Sequence, residues 1–335
     1  MANLKLSPEM LLRFRERAAV YDRENRFFSE DFEELREAGY LNLGVPTDMG
    51  GHGMNLAQYG ELLRELSQYA PATALATNMH VYWTGVASDL LKAGDDSMRF
   101  VLDDAMAGEV LAAGHSESGN DLPMLYSVTR AERVEGGYRF TGRKGFGSLS
   151  PVWTRFGLNG MDSSDPENPK IVHAFMNRDA EGYAIKDTWD TMGMRATASQ
   201  DTILEGVFVP DDRIVRVLPA GAGGADMFVV AVFAWALIGF ANVYYGIARR
   251  ASEIALAALK DKKSLAMTRS MAYHPEVQHG VAKMMMELEA IGPHLDQVAS
   301  DWANGVDHGH EWPAKLMMAK HHAVESSWKV MDLAM

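Results

Sequence analysis

Hydrophobic and polar positions change period twice along this chain, and the changes mark three regions. Between residues 7 and 110 the period is helical. Ser7 can cap a helix that begins with Pro8, and Glu9 places a carboxylate in its first turn. Asp31 to Ala38 reads as a short amphipathic helix stopped by Gly39. Leu41 to Val45 leads into Pro46-Thr47-Asp48-Met49-Gly50-Gly51-His52-Gly53, whose glycines permit a backbone that a helix would not. Helical spacing resumes at Leu56 and continues, with breaks, to about Met106. From residue 111 the pattern turns to β. Tyr126 to Val134 and Tyr138 to Thr141 carry β-formers around Glu135-Gly136-Gly137, which predicts a hairpin. Ile171 to Met176, Thr202 to Leu204 and Val207 to Val209 predict further strands, with a polar loop over 161–170. Helix then returns. From Val277 the apolar positions Val281, Met284, Leu288, Ile291, Leu295, Val298 and Trp302 alternate steps of four and three, the spacing of a packed helical bundle, and Pro293 is expected to kink that helix. The last helix, from about Pro313, reaches Leu333-Ala334-Met335 without a Gly, Asn or Pro stop, so the chain is expected to end in mid-helix. These patterns predict a multi-domain α+β protein: an N-terminal helical domain over 1–110, a central β-barrel-like domain over 111–220, and a C-terminal helical bundle over 221–335.

Composition narrows the class. At 335 residues the chain suits two or three domains, and a hydrophobic content of 47% is enough for real cores. The longest apolar run, Met227 to Ala241, falls short of the roughly 20 residues of a membrane helix, so no membrane span is expected. The N-terminus lacks a basic and apolar signal pattern. With no cysteine there is no disulfide, thiolate metal site or thiol nucleophile; a cytoplasmic location fits best, and a disulfide-free exported protein is also compatible. A net charge of −13 argues against nucleic-acid binding, and it means that an anionic cofactor must be held by local groups.

Three motifs then bring in chemistry. The first is His115-Ser116-Glu117-Ser118-Gly119-Asn120-Asp121, and the second is Gly137-Tyr138-Arg139-Phe140-Thr141-Gly142-Arg143-Lys144-Gly145-Phe146-Gly147-Ser148. The third is Trp189-Asp190-Thr191-Met192-Gly193-Met194-Arg195, followed by Gly206-Val207-Phe208-Val209-Pro210. In this order they resemble the flavin-binding middle domain of the acyl-CoA dehydrogenase superfamily, and the Pro-x-x-x-Gly-Gly-x-Gly turn at Pro46 resembles that superfamily's N-terminal helical domain. The resemblance implies an acyl-CoA dehydrogenase-like fold and an FAD cofactor, with FAD contacts at His115, Ser116, Asn120, Phe146, Gly147, Ser148 and Arg195.

In that register Ser116 stands for the Thr of the family's Thr-Glu-Pro loop, and Glu117 for its Glu. Phe146 falls where the family often has an aromatic beside the flavin ring, and Ser148 where a hydroxyl faces flavin N5. Such a ring needs hydrogen-bond partners at its edge and an aromatic wall on its face. The chain departs from the pattern at Ser118, where the family has Pro, and at Gly119-Asn120, where it has Gly-Ser, which puts the loop path and its CoA contact in question. Arg195 reads either as part of a polar loop beside the flavin or as a residue satisfying a turn or an interdomain salt bridge. After it the family's Ser-Asp-Thr is replaced by Ala196-Thr197-Ala198-Ser199, a pattern leaning towards the superfamily's flavin monooxygenases. Lys262 and Lys263 stand where the family has a phosphate-binding Arg, but read first as a solvated helix end. His80 lies on a helix the family places near substrate; it is a candidate acid or base, with a hydrogen-bonded core residue as the alternative. Asp307-His308-Gly309-His310-Glu311 lacks a framework that would converge its side chains, so no metal is expected, and no Gly-x-Gly-x-x-Gly marks a Rossmann site.

The catalytic base is the open position. The family's dehydrogenases remove an α-proton with a Glu that usually lies in the segment corresponding to residues beyond Met335, and Met227 to Tyr245, where a minority place it, holds no carboxylate. The first expectation is therefore an FAD-dependent acyl-CoA dehydrogenase of fatty acid metabolism, acting on the CH–CH group of a thioester. The alternatives are a flavin-dependent monooxygenase, or a non-catalytic binding paralogue. Expected partners are an acyl-CoA or other small hydrophobic substrate, and an electron acceptor protein or oxygen. A homodimer or homotetramer is expected from the apolar bundle, including Met284, Met285 and Met286 in a row.

Overall fold

The structure is a computed structural model that describes residues 4–221, 226–263, 265 and 268–335. Five helices come first: α1 (Pro8–Glu24), α2 (Ser29–Glu37), α3 (Leu56–Tyr69), α4 (Pro71–Lys92) and α5 (Arg99–Met106). The Ser7 hydroxyl accepts from Met10 N, which caps α1, and Asn55 and Gln58 form a reciprocal capping box on α3. Phe28, Phe32, Leu35, Tyr40 and Leu43 are buried between these helices. The buried face of α4 covers most of its circumference, as expected of a helix enclosed by others rather than lying on a surface.

Eight strands follow: β1 (Leu111–Gly114), β2 (Arg130–Val134), β3 (Gly137–Gly147), β4 (Arg155–Asp162), β5 (Lys170–Asn177), β6 (Tyr183–Lys186), β7 (Gln200–Pro210) and β8 (Ile214–Pro219). They form one mixed sheet in the order β6-β7-β3-β2-β4-β5-β8, with β1 parallel to β4. No ladder joins the edge strands β6 and β8, yet β5 touches β7 across three intervening strands, so the sheet folds over on itself without closing. The expected hairpin is β2–β3, with Val134 opposite Gly137 and Gly136 in the left-handed region.

The two strands read separately at 202–204 and 207–209 are one strand, β7, interrupted by a register shift where Gly206 takes φ 75°. Strands β1, β4, β6 and β8 carry no β signal strong enough to be predicted. In β4 the reason is physical. Gly157 and Gly160 break the run of β-formers because aromatic rings lie on the strand there: a Cβ at Gly157 would stand 2.8 Å from Trp83, and one at Gly160 would stand 2.8 Å from Phe140.

The chain ends in α6 (Met227–Asp261), α7 (Pro275–Ala303) and α8 (Trp312–Ala334). The predicted core stripe is in place, with Met284, Leu288, Ile291, Leu295 and Val298 buried, and the chain stays helical through Pro293. Helix α6 corrects one expectation. Among the described residues it is long and apolar enough to cross a membrane, with a window of mean hydropathy 2.0, because Asn242 interrupts the apolar run without lowering its average much. Yet 72% of that window is buried within the protein, against α3 and α4 on one side and α7 and α8 on the other. The α4–α6 approach is close enough that a Cβ at Gly85 would stand 2.4 Å from the Trp235 ring, whose indole N–H donates to Asp89 at 2.7 Å.

Charged ties join the sheet to the N-terminal helices. Asp104 on α5 accepts from Arg155 at 3.0 Å and also from Arg213, and Arg216 reaches back to Asp95.

Candidate functional site

A cavity of about 610 Å³ lies where the folded sheet meets α4, α6 and α8, within the size range of small-ligand sites. Helix α4 contributes Leu75, Met79 and Tyr82, and α6 contributes Val232, Phe233, Leu237, Phe240 and Tyr244. These walls are largely apolar. The sheet side is polar: His115 and Ser116 come from the loop after β1, Ser148 from the end of β3, and Thr197 and Ser199 from the loop before β7. Phe146, Trp189 and Met194 complete that side, and Lys320 of α8 reaches the cavity from the opposite one.

The backbone on the polar side is unusual. Phe146, Leu149, Met194 and Ala198 all have positive φ, between 46° and 65°, although none is glycine. Left-handed conformations at such residues cost about 1–3 kcal/mol each and cluster at functional sites. Here they bracket Ser148 on one loop and Thr197 on the other, and Leu149 N donates to Thr197 O at 3.1 Å to hold the loops together. Phe146, 65% exposed, stands edge-on to Trp189 with ring centroids 5.7 Å apart.

Three buried hydroxyls form a chain whose polarity can be deduced. Thr197 Oγ1 donates to Met194 O at 2.9 Å, because a carbonyl can only accept. Ser199, 2.6 Å from Thr197 Oγ1, must then be the donor to it. Ser148, 2.7 Å from Ser199 Oγ, must in turn donate to Ser199. Ser148 therefore offers lone pairs to the cavity and acts as an acceptor.

His115 borders the cavity beside Trp83, with ring centroids 5.4 Å apart, and its Nε2 is buried without a partner. Behind it lies His173, 1% exposed, with both ring nitrogens unpartnered and its centroid 5.9 Å away. Burial, then the neighbouring His173 and Lys144, hold the His115 imidazolium well below the usual histidine range, and burial brings His173 down to about 3. Both rings are neutral at pH 7.

Beneath Ser116 a buried ion pair fixes the loop. Lys144 Nζ donates to Glu117 Oε1 at 2.7 Å and to Asn159 Oδ1 at 2.7 Å, and both members of the ion pair have side chains 0% exposed. Glu117 also accepts from Ser127 Oγ, Val128 N, Thr129 N and Asn120 Nδ2, all within 2.9 Å. Burial would raise the Glu117 carboxyl, but the Lys144 charge and these hydrogen bonds outweigh it and bring it to about 2. Burial lowers Lys144 to about 8 against the pull of Glu117, so both groups are charged at neutral pH.

Of the residues singled out from the sequence, His115, Ser116, Phe146 and Ser148 converge on this cavity. The others serve elsewhere. Asn120 is a loop clamp, donating to Glu117 and to Tyr126 O and accepting from Leu122 N. Gly147 lies with its backbone against β7, where a Cβ would stand 2.8 Å from Gln200 O. Arg195 pairs with Asp190 and donates to Thr191 O within its own loop, as expected of a turn residue, and its link to α1 is a hydrogen bond to Asp22 O at 2.8 Å rather than a salt bridge. His80 is a core strut rather than an acid or base. Its Nδ1 accepts from Leu111 N at 3.0 Å, which leaves the proton on Nε2 to be donated to Leu41 O at 2.9 Å. Burial lowers its pKa to about 4.

The sequence reading passed over Lys144, His173, Trp189 and Lys320. Lys144 carried a signal, since it shares the inward parity of Tyr138 and Phe140 on β3. Trp189 opens the third motif, and His173 and Lys320 are brought to the site, or behind it, only by tertiary packing.

Comparison with known proteins fits this geometry. Residues 12–107 match the family model "Acyl-CoA dehydrogenase, N-terminal domain", and residues 238–335 match "Acyl-CoA dehydrogenase, C-terminal domain". The chain belongs to the acyl-CoA dehydrogenase-like flavoprotein superfamily, whose members here are flavin-dependent oxidoreductases and oxygenases. It is 26% identical to "Putative acyl-CoA dehydrogenase YdbM" of Bacillus subtilis (strain 168), over 96% of this chain and 82% of that protein. It is 27% identical to the dibenzothiophene monooxygenase of Mycolicibacterium goodii, over 75% of this chain and 61% of that protein. A nitrososynthase from Micromonospora carbonacea var. africana has the same fold, with a TM-score of 0.81 at 22% identity over 99% of this chain and 88% of its own.

Proposed function

We propose that the cavity holds the isoalloxazine ring of a flavin together with a small, mainly apolar substrate, and that the reaction is oxygenation by reduced flavin and dioxygen. The residues present suit the ring. Ser148 offers an acceptor, His115 Nε2 is a buried nitrogen in need of a partner, and Phe146 and Trp189 supply an aromatic wall. A bound flavin would supply the redox chemistry, which no side chain of this chain can provide. The protein's own contribution is to hold the reactants and exclude water. Helices α4 and α6 enclose an apolar substrate body, Ser148 and His115 orient polar edges, and the Glu117–Lys144 pair keeps the Ser116 loop in place.

One observation carries the choice of reaction. The Ala196-Thr197-Ala198-Ser199 pattern that leans towards the superfamily's monooxygenases puts Thr197 and Ser199 on the cavity wall, in the hydroxyl chain that makes Ser148 an acceptor. Dehydrogenation of an acyl-CoA is the second reading, favoured by the relative that aligns with 96% of this chain. The same proposal takes FAD as the cofactor with FMN as the alternative, and a cytoplasmic homodimer or homotetramer. The exposed Met286, Met317, Met318 and Trp328 on α7 and α8 support the assembly.

The test is reconstitution of the apoprotein with FAD and with FMN, followed by two reactions. Externally reduced flavoprotein should consume oxygen and oxygenate apolar test substrates, while anaerobic saturated acyl-CoAs should leave the oxidised flavin unbleached. Bleaching by an acyl-CoA would establish the dehydrogenase instead, and failure to take up either flavin would remove both readings.

A further inference from the structure

Lys320 is out of keeping with its surroundings. It projects from α8 into a cavity whose facing wall on α6 is apolar, and among the described residues no carboxylate lines that cavity. Its own helix supplies no counter-ion, because the positions three and four residues away are Leu316, Met317, Ala323 and Val324. Across the cavity, α6 has no Asp or Glu between Met227 and Tyr245. No ion pair or hydrogen bond of Lys320 is found among the described residues, in a chain whose net charge is −13 and whose half-buried Arg155, Arg213 and Arg216 each reach a carboxylate. Lys320 is half-buried, and an unpaired ammonium held beside apolar side chains is a ready partner for an anion.

We infer that Lys320 is the anion-binding residue of this cavity, and that the cavity's ligand carries a carboxylate or phosphate oxygen towards α8. Its apolar body lies along α6, and its polar edge meets Ser148 and His115. This inference rests on the reading of the cavity as a ligand site and adds the charge of what fills it. The anion has two possible sources, an acidic substrate or the phosphate of the flavin, and both use the same contact.

The experiment uses the full chain and its K320M and K320R variants, with thermal unfolding to confirm that all three fold. Calorimetric titrations compare two pairs of probes, FMN against riboflavin and phenylacetate against phenylacetamide. In the unsubstituted protein the anionic member of at least one pair should bind about tenfold more tightly than its neutral partner, the scale of one partly desolvated ion pair. K320M should abolish that preference and K320R retain it. Preference within the flavin pair identifies the cofactor phosphate as the anion, and preference within the other pair identifies an acidic substrate. Equal binding within both pairs, or a preference that survives in K320M, overturns the inference. Flavin uptake without any anionic preference leaves the proposed function standing alone. A phenylacetate preference lost in K320M, with no flavin uptake, leaves the anion site standing alone.

Discussion

Replacing Lys144 with Met tests the anchor under the cavity loop most directly. The substitution keeps the length and apolar stem of the side chain and removes only the ammonium 2.7 Å from Glu117. Two estimates of its effect agree. Removing one partner of a fully buried ion pair costs about 3–5 kcal/mol, because the remaining charge keeps its desolvation penalty. Independently, Glu117 falls from 4.5 in the unfolded chain to about 2 in the folded one, a difference worth roughly 3 kcal/mol above the higher value. The descent of Lys144 to about 8 records the opposing expense of burying an ammonium, so the linkage figure is an upper one for the pair.

The sign gives a second readout. A carboxyl whose folded pKa is depressed contributes stability that is complete above pH 4.5 and lost as pH falls through about 2. In K144M much of that contribution is gone at every pH. Urea unfolding should therefore show a large difference between K144M and the unsubstituted protein at pH 7, shrinking as pH falls below 4.5. Adding Glu117→Gln to K144M should recover at least about 1 kcal/mol, since the stranded charge is then removed. A K144M effect below about 1 kcal/mol, or one that is flat with pH, would refute the reasoning, as would strict additivity in the double variant.

Two other substitutions separate structural from chemical roles. His80→Ala should lower stability by about 1–3 kcal/mol for each of the two buried groups it strands, Leu111 N and Leu41 O, while flavin affinity stays unchanged; a selective loss of flavin binding would restore His80 to the site. Ser199→Ala cuts the hydroxyl chain and frees Ser148 to turn its proton towards the cavity, so the reduction potential of reconstituted flavin should shift. Ser150→Ala, whose hydroxyl bonds Gly147 O away from the cavity wall, serves as the control, and equal shifts in the two variants would reject the deduced polarity.

The helical thirds were legible because their signals are local: Ser7 and Pro8 at a helix start, and the four-three spacing from Val281 to Val298. The sheet was half legible. The β2–β3 hairpin announces itself through Gly136-Gly137, but β4 and β8 exist because neighbouring strands and helices demand them, and β4 gives up side chains so that Trp83 and Phe140 can pack. At the site, motif register found residues that touch the cavity and residues one position removed from it. Gly147 and Ser148 are adjacent, yet one meets β7 and the other the cavity, a distinction set by the positive φ of Phe146 and Leu149 on either side. Nothing within α8 reveals that Lys320 lines the same cavity as Ser148, because the two are more than 170 positions apart in the chain and are brought to one cavity by the packing of α6 against α8.

Helix α6 also sets a problem of order during synthesis. Its partners α3 and α4 leave the ribosome before it does, but α7 and α8 follow it. At about 5–20 residues per second, the roughly 70 residues from Asp261 to Ala334 take on the order of 4 to 14 seconds to appear. Throughout that interval a stretch apolar enough to be read as a membrane anchor has only one of its two walls. The nascent chain is therefore vulnerable to mistargeting and aggregation between the synthesis of α6 and that of α8, and a pause there would prolong that exposure.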